Sequence, residues 1–539
     1  MEQVPHIVLG GYAALLICIC WLGWRKGKVT EEDYYLAGRG QGILVTTLTI
    51  MATFFSSAAL LGIPGLVYRD GLAFFPFALN LPLSGAAIFL LGSRISRIGR
   101  KRGYVTPGDM VADYYGGSDV MRGLVALVGF LYVLPYIIMQ IKAGGYLAQR
   151  MFPEVEAVSL FGQSLTMFDL GTNVLSVITM LYVLIGGMRS VAWSDVLQGV
   201  LLLMGMLLAG VATVFAMGGI ASYFEQVIAM PKEALTIPGA SGAWSPWKLL
   251  TICLFASLAT MIQPGQWMRY YAARSSKTLR KSAMIFATVL PFCFLFGVML
   301  VGLGGRALYP PTVGEAGIMP HPTVGNKTSE VDQVVIVMIQ EHLPVLLGPV
   351  LGAIFVSIIL VAVMAASMST ADSNLHALSA VLTRDIYDRV RPQSTERERA
   401  WIGRGIIVVV TLLALWMVKA GANNADFKPL ELIATLSFVA MAFSCQLLPV
   451  ALDMLFVGKS TKAGAIAGMV SGIVVVFLFT PFGFDAVKPV TDQLKKLFDI
   501  GFCGFVVNAL VLVTVSKFTP SQDAERVADF RGDLMFKSK

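Results

Sequence analysis

The chain has 539 residues, of which 56% are hydrophobic and only 14% are charged. Soluble domains carry about 25% charged residues, so this composition excludes an ordinary water-soluble protein. The net charge of +8 lies mostly in short clusters between apolar runs, which is typical of cytoplasmic loops and not of a nucleic-acid-binding surface. We therefore expect the lipid bilayer as the main surroundings of this chain, and no nucleic-acid partner.

Apolar runs long enough to cross a bilayer, which takes about 20 residues, recur along the whole chain. They predict an all-α polytopic fold of about thirteen transmembrane helices. We number the predicted helices 1 to 13: 6–24, 41–67, 72–93, 122–149, 168–187, 191–217, 247–267, 281–304, 344–383, 402–420, 429–455, 461–481 and 495–516. Basic residues follow helix 1 (Arg25, Lys26 and Lys28) and recur in alternate loops. This pattern predicts the N-terminus outside and the C-terminus inside.

Helices 2 and 7 carry signals of a break, and transporters bind their ligands at such breaks because unwound backbone offers free carbonyls and amides. Helix 2 gathers hydroxyls and small residues at 52–59 and continues into Gly62, Pro64 and Gly65. Close packing of small residues at a helix crossing is the alternative explanation. Helix 7 ends in Gln263-Pro-Gly-Gln-Trp-Met-Arg269, which predicts a break followed by Arg269 at the cytoplasmic surface.

The two broken helices lie five helices apart, which predicts two five-helix halves of opposite orientation (helices 2–6 and 7–11). The predicted organisation is then a first helix and loop at 1–40, a first half at 41–217, a second half at 218–455, two final helices at 456–516 and a cytoplasmic tail at 517–539.

Helix 9 carries the densest polar group of the chain. Ser369, Asp372, Ser373 and His376 share one face of this helix, and Asp195 of helix 6 is predicted at a similar depth. Carboxylate and hydroxyl oxygens suit a hard monovalent cation, and an ionisable group inside a membrane indicates function by default. An interfacial helix cap is the alternative for both aspartates.

Lys142, in helix 4 beside Gln140, is the other unusual charge in an apolar run. It either extends to the outer surface or binds a carboxylate of the transported solute.

The chain resembles the sodium:solute symporter family, the group of the proline, sugar, pantothenate, acetate and sialic acid sodium symporters. The resemblance extends from helix 1 to helix 13. It rests on these motifs in this order: Asp33-Tyr-Tyr-Leu-Ala-Gly-Arg39, Gly62-Ile-Pro-Gly-Leu-Val-Tyr68, Gly186-Gly-Met-Arg-Ser-Val-Ala-Trp-Ser-Asp-Val-Leu-Gln198, Gln263-Pro-Gly-Gln-Trp267, Ala366-Ser-Met-Ser-Thr370 and Arg384-Asp-Ile-Tyr387. It implies the LeuT-type fold, a five-plus-five inverted repeat with one helix before it and two after, and alternating access.

The resemblance also implies the positions of the binding sites. Sodium would be bound by the backbone carbonyls of Ala52, Phe55 and Ala366 and by the hydroxyls of Ser369 and Thr370. A second sodium site would use Asp195, Ser369, Asp372 and Ser373, with Asp372 departing from the hydroxyl pattern of relatives that have this site. The solute would lie near Ser56, Ser57, Ala58, Ala59, Gln140, Lys142 and Gln263.

We therefore predict a multi-pass protein of the cell (inner) membrane that couples sodium to the symport of a small organic solute, with a carboxylate-bearing solute favoured through Lys142. Ala59 stands where sugar-transporting relatives have a polar ligand, which argues against a hexose. We expect no catalytic residues, no cofactor and no metal other than Na+ as the coupling ion. The alternatives are a proton-coupled carrier with Asp195, Asp372 and His376 as a relay, an uncoupled carrier, and a membrane sensor module. Neither the solute nor the oligomeric state follows from the sequence.

Overall fold

The structure is a computed structural model that describes residues 4–27, 30–152, 154–155, 157–160, 162–314, 317–423 and 433–534. Within these ranges the chain is predominantly helical, with ten helices long and apolar enough to cross a membrane, or eleven if one bent pair forms a single span. The predicted count of thirteen and the orientation of the two ends remain predictions. Lys28, the first residues of helix 11 (429–432) and the last residues of the tail (535–539) lie outside the described residues.

The first half of the chain contains helices 1 to 6. Helix 1 is Val4–Lys26; helix 2 is Ile43–Phe54, Ala58–Gly62 and Ile63–Asp70; helix 3 is Gly71–Leu79, Asn80–Ala87, Ile88–Gly92 and Ser93–Arg102; helix 4 is Asp119–Met151; helices 5 and 6 form Met167–Ala216. Shorter helices are Glu31–Leu36, Ala37–Arg39, Pro107–Tyr114, Ile220–Ile228 and Lys232–Leu235. Helices 5 and 6 are divided at Gly187, whose φ of 57° and ψ of −173° suit only a residue without a Cβ.

The second half contains helices 7 to 13. Helix 7 is Pro246–Ile262 and Pro264–Ala272; helix 8 is Ser276–Cys293, Phe294–Met299 and Leu300–Leu308; helix 9 is Pro349–Val381, Leu382–Tyr387 and Asp388–Val390; helix 10 is Glu396–Asn423; helix 11 is Ile433–Ser444, Cys445–Leu447, Leu448–Leu452 and Asp453–Val457; helix 12 is Lys462–Phe479; helix 13 is Ile500–Phe518. Shorter helices are Thr328–Gln333, Val334–Leu347, Asp485–Val487, Lys488–Leu497 and Ala524–Leu534.

Three predicted details are corrected. The fold is not entirely α-helical, because two short antiparallel hairpins pair Ala157–Leu160 with Gln163–Thr166 and Thr312–Gly314 with Gly317–Met319. Helix 9 begins at Pro349 and not at 344, since Gly348 (φ 77°) separates it from the preceding helix Val334–Leu347. That separate helix lies in a region that the sequence pattern had assigned to a long loop.

The tail after residue 516 is also more ordered than its polar composition indicated. Its helix Ala524–Leu534 packs on the end of helix 3, where Arg102 pairs with Asp529 and Asp533. Phe530 of the tail helix is fully buried against Tyr114.

Large apolar side chains on the outside contrast with polar side chains inside. Phe215 is 62% exposed and Trp416 is 63% exposed, as expected where lipid covers the surface of a membrane helix. By contrast, every residue of helix 9 from Ala365 to Val381 is buried, including its serines, its aspartate and its histidine. The polar groups that can bind a ligand therefore lie in the centre of the fold, between helices 2, 6, 7 and 9.

Candidate cation and substrate sites

Helix 2 is interrupted in the middle of its span. Its first part ends at Phe54, Phe55 has an extended conformation (φ −86°, ψ 108°), and helical structure resumes around Ala58. The hydroxyl of Ser56 accepts the backbone N–H of Ala58 at 3.2 Å and so replaces a carbonyl that the broken helix does not supply. The break lies within the small, hydroxyl-rich stretch 52–59 and leaves backbone carbonyls of helix 2 available to other partners.

Those carbonyls face two hydroxyls of helix 9. The Ser369 hydroxyl lies 3.1 Å from the carbonyl oxygens of Ala52 and Ala366. The Thr370 hydroxyl lies 3.1 Å from the carbonyl oxygen of Ala52 and 3.3 Å from that of Phe55. We call these five oxygens the neutral oxygen cluster. They are the five atoms that the family resemblance predicts as sodium ligands, and the structure brings all five together.

The chemistry of the neutral oxygen cluster suits a hard monovalent cation. Its ligand atoms are all oxygens, its five residues are fully buried, and none of them is charged. Carbonyl and hydroxyl dipoles can replace the hydration shell of such an ion, while a soft metal prefers nitrogen or sulfur. Each hydroxyl can also rotate its proton away and direct a lone pair towards an ion.

A second group of polar residues is charged. Arg269 donates from Nη2 to Asp195 Oδ2 at 3.1 Å and from Nε to the Thr49 hydroxyl at 2.9 Å. The same Nη2 lies within hydrogen-bonding distance of the Ser373 hydroxyl, which in turn donates to Asp372 Oδ1 at 3.0 Å. We call Thr49, Asp195, Arg269, Asp372 and Ser373 the charged cluster.

The position of Arg269 corrects the sequence-based expectation. The residue was predicted at the cytoplasmic surface, but it is only 1% exposed. Helix 7 bends by 55° between Pro246–Ile262 and Pro264–Ala272, so the second part directs Arg269 to Asp195 and Thr49. The Pro-Gly pair predicted the bend, but not its direction.

The remaining member of the predicted second site, Asp372, is surrounded by hydroxyl donors. The Tyr182 hydroxyl bonds to Asp372 Oδ2, and the Ser373 hydroxyl to Oδ1. Of the four predicted second-site residues, Asp195, Asp372 and Ser373 therefore lie in the charged cluster, while Ser369 lies in the neutral oxygen cluster. His376, the third residue of the alternative proton relay, bonds through Nε2 to the Tyr34 carbonyl at 3.1 Å.

A cavity adjoins the break in helix 2. Among the predicted solute-binding residues, Ser56, Ala58 and Ala59 line it. The other described residues of its wall are Phe54, Phe55, Ile63, Phe77, Asn80, Leu81, Tyr136, Ala256, Thr260, Phe294, Ser437, Phe438 and Met441. None of these described lining residues is charged, and most are apolar, as is usual for a small-molecule site.

Three further predicted solute-binding residues, Ser57, Gln140 and Gln263, are not among the residues that line the cavity. Gln140 Oε1 accepts the backbone N–H of Ser57 at 3.1 Å and its hydroxyl at 2.8 Å, which connects helix 4 to the break in helix 2. Gln263 caps the second part of helix 7 by accepting the N–H of Gly265. Their observed contacts position the two broken helices.

Lys142, the seventh predicted solute-binding residue, is 9% exposed and does not line the cavity. It interacts electrostatically with Asp332, which precedes the helix Val334–Leu347 and accepts the N–H of Ile433 at 3.0 Å. Burial raises the pKa of Asp332 to about 6, while Lys142 opposes this shift. Lys142 therefore has a carboxylate partner within the protein.

Sequence reasoning did not assign a role to Thr49, Tyr182, Arg269 or Asp332. The available signal was that each is a polar residue beside or within an apolar run, where a polar group needs a partner. The partner itself was not visible, because Asp195 and Arg269 are 74 residues apart and Tyr182 and Asp372 are 190 residues apart.

A helical membrane protein with two broken helices, and with buried oxygen ligands at one break, has the construction of a secondary transporter. The profile of the sodium:solute symporter family matches residues 34–472. The chain belongs to this family, whose members are secondary transporters rather than enzymes. Like them, it is a multi-pass protein of the cell membrane.

The chain is similar to two curated relatives and to one solved structure. The chain is 27% identical to the sodium/proline symporter of Escherichia coli (strain K12) over 502 residues, which cover 92% of this chain and 91% of that protein. It is 28% identical to the sodium/proline symporter of Haemophilus influenzae over 505 residues, which cover 91% and 90%. A structure of the substrate-bound outward-open state of a Na+-coupled sialic acid symporter is 18% identical with a TM-score of 0.73, covering 96% of this chain and 99% of the other. This likeness shows the fold, which is of the LeuT type.

Proposed function

We propose that this protein imports a small organic solute together with sodium by alternating access, and that the neutral oxygen cluster binds the transported sodium ion. The observation that carries this proposal is the meeting of the Ala52 and Phe55 carbonyls with the Ser369 and Thr370 hydroxyls at the break in helix 2. An ion bound there would join helix 2 to helix 9. It would thereby fix the backbone of the break in one conformation.

The position of the cluster explains how sodium and solute affect each other. Ser56 and Ala58, which follow the sodium ligand Phe55 directly, line the cavity. Sodium that orders this stretch therefore also orders part of the solute site. Because coupling is reciprocal, the solute must raise the affinity for sodium by the same factor. The membrane potential then contributes about 2.3 kcal/mol per charge per 100 mV to accumulation.

The alternating movement is proposed to follow the predicted organisation of the chain. Two five-helix halves, 41–217 and 218–455, would change their relative arrangement around the broken parts of helices 2 and 7. Helix 1 and the helices at 456–516 would flank them, with the N-terminus outside and the C-terminus inside. Gln140 and Gln263 would keep the two breaks in their positions during this movement, since they bond to Ser57 and Gly265.

For the solute, we propose a zwitterionic amino acid about the size of proline. The described residues around the cavity carry no charge, and a buried net charge is costly without a partner. A solute whose own charges cancel therefore fits better than a simple anion, and Lys142 does not supply a counter-charge within this wall. The names of the curated relatives, sodium/proline symporters, agree with this class.

The decisive experiment is uptake of radioactive L-proline into proteoliposomes under separately imposed sodium and proton gradients. We expect uptake that requires inward sodium and continues when the pH gradient is abolished. Equal uptake without sodium under a proton gradient would contradict sodium coupling and support the proton-coupled carrier. Sodium-dependent binding without any flux would indicate a sensor.

The solute class is tested in the same vesicles by competition. Unlabelled zwitterionic amino acids should inhibit L-proline uptake, whereas simple monocarboxylates and hexoses should not. If sodium still binds but L-proline is not taken up, the amino acid assignment is wrong and the sodium assignment stands. Ser56→Ala, which changes the cavity wall, should raise KM for the solute more than it changes sodium activation.

A further inference from the structure

Arg269 holds the position that the sequence assigned to a second sodium ion. The predicted ligands of that ion were Asp195, Ser369, Asp372 and Ser373. The guanidinium of Arg269 bonds directly to two of them, Asp195 and Ser373. It also donates to the Thr49 hydroxyl at 2.9 Å and to the Gly265 carbonyl at 3.0 Å, so all three of its nitrogens are bonded.

We propose that the guanidinium of Arg269 is the permanent cation of this site, and that the protein consequently binds and carries one sodium ion per cycle. This inference rests on the proposed sodium-coupled function and concerns its stoichiometry. Sodium at the neutral oxygen cluster would be the transported ion. The second position would be filled by a cation that is covalently part of helix 7.

The burial and charge of the site favour this assignment. Asp195 is fully buried and Arg269 is 1% exposed, so each needs the other to offset the cost of removing its charge from water. Arginine stays protonated in proteins, so the partner of Asp195 is present at every physiological pH. A sodium ion in contact with the same carboxylate oxygen would meet the guanidinium at close range, where like charges repel strongly in a buried setting.

Geometry also separates the two sites. Ser369, which was predicted to serve both sodium sites, directs its hydroxyl to the Ala52 and Ala366 carbonyls of the neutral oxygen cluster. Ser373 receives the Arg269 bond and donates to Asp372. The predicted second site has thus been divided between a neutral ion site and an internal ion pair. The competing possibility is a sodium ion on Asp195 Oδ1, which has no hydrogen-bond partner among the described residues.

The test is the number of sodium ions bound by the detergent-purified full chain, measured with radioactive sodium alone as the probe. We expect one ion per wild-type protein and a Hill coefficient near one. Arg269→Ala removes the internal cation and leaves Asp195 unpaired, so we expect two ions per protein and a Hill coefficient above one. Arg269→Lys keeps a positive charge and should remain at one ion.

A double variant identifies the new ligand. Asp195→Asn combined with Arg269→Ala should return to one ion, since the carboxylate that would bind the second sodium is gone. One bound ion in Arg269→Ala would overturn the proposal. Two bound ions in the wild type would also overturn it, and this measurement does not depend on whether any variant folds. A wild type that binds no sodium would contradict the proposed function, whereas two ions would leave sodium coupling intact and reject only this inference.

Discussion

The neutral oxygen cluster and the charged cluster lie side by side between helices 2 and 9, but they differ in the charge of the groups that face a cation. The first offers five oxygens without a formal charge. The second holds a full negative charge, Asp195, against a full positive charge from helix 7. Neutral dipoles bind an ion weakly enough to release it, as a transport cycle requires. Separating a buried carboxylate from its charged partner is costly, because it leaves a buried charge without compensation.

The two clusters also differ in the helices that they connect. The neutral oxygen cluster connects helix 2 to helix 9, and under the proposed function a sodium ion would complete it. The charged cluster connects helix 2, through Thr49, to helices 6, 7 and 9, and its cation, the Arg269 guanidinium, belongs to the chain itself. If the proposal is right, sodium would govern the first connection, while the second would persist whether or not sodium is present.

The largest expected effect is on stability, in the charged cluster. Asp195→Asn leaves the Arg269 guanidinium buried without its carboxylate, and breaking a buried pair in this way costs about 3–5 kcal/mol. The double variant with Arg269→Gln should lose much less than the sum of the two single losses, because neither charge is left alone. Unfolding of the four proteins in detergent measures this cycle. Additive losses would contradict the pairing.

The next largest effect is expected on sodium, in the neutral oxygen cluster. Thr370→Val keeps the shape of the side chain but removes one of the proposed ligands, so we expect sodium affinity to fall about 10- to 100-fold, or roughly 1.4–2.8 kcal/mol. Stability without sodium should change little. Ser367→Ala is the matched control, since Ser367 is equally buried but bonds to the Val363 carbonyl of its own helix. An equal loss of affinity in the control would contradict the assignment.

A smaller effect is expected from Tyr182→Phe, which removes a donor to Asp372. The loss of this buried hydrogen bond should cost about 1 kcal/mol, and sodium affinity should remain close to that of the wild type. Tyr223→Phe removes a hydroxyl that donates only to the Leu300 carbonyl at 2.8 Å, and should cost about 1 kcal/mol. If Tyr182→Phe alters sodium binding as strongly as Thr370→Val, the two clusters are not separate.

The smallest effect on sodium is expected from the pair at Lys142 and Asp332. Burial raises the pKa of Asp332 to about 6, so the folded protein holds this proton more tightly than the unfolded chain. Its contribution to stability is therefore present below about pH 4 and is lost as the pH rises through about 6. Asp332→Asn should remove this component of the pH dependence. Lys142→Met should extend the stabilising contribution of protonated Asp332 to higher pH, because the opposing positive charge is gone.

Thermal unfolding across pH 4–8 measures the behaviour of this pair, with sodium affinity as the second readout. A pH profile of Asp332→Asn identical to that of the wild type would contradict the raised pKa. A large loss of sodium affinity in Lys142→Met would show that this pair belongs functionally with the neutral oxygen cluster.

The sequence by itself determined the membrane setting, the break in helix 2 and the residues that form the neutral oxygen cluster. These features are encoded locally: apolar runs set the spans, and the stretch 52–59 carries its own hydroxyls and small residues. Ser369 and Thr370 lie in a motif that resembles a known family. The local pattern predicted the break, and the family resemblance implied which five oxygens meet there.

Only the tertiary structure decided the partners of the charged side chains. Nothing near Arg269 in the sequence indicates that a 55° bend directs it to Asp195, and nothing near Lys142 indicates Asp332. The helix Val334–Leu347 was likewise missed, because its apolar stretch is interrupted by Glu341 and His342 and is too short for a span, so the region was assigned to a loop. Local periodicity describes how a segment folds, but the pairing of buried charges depends on how distant segments pack, and this is fixed only when the whole chain is assembled.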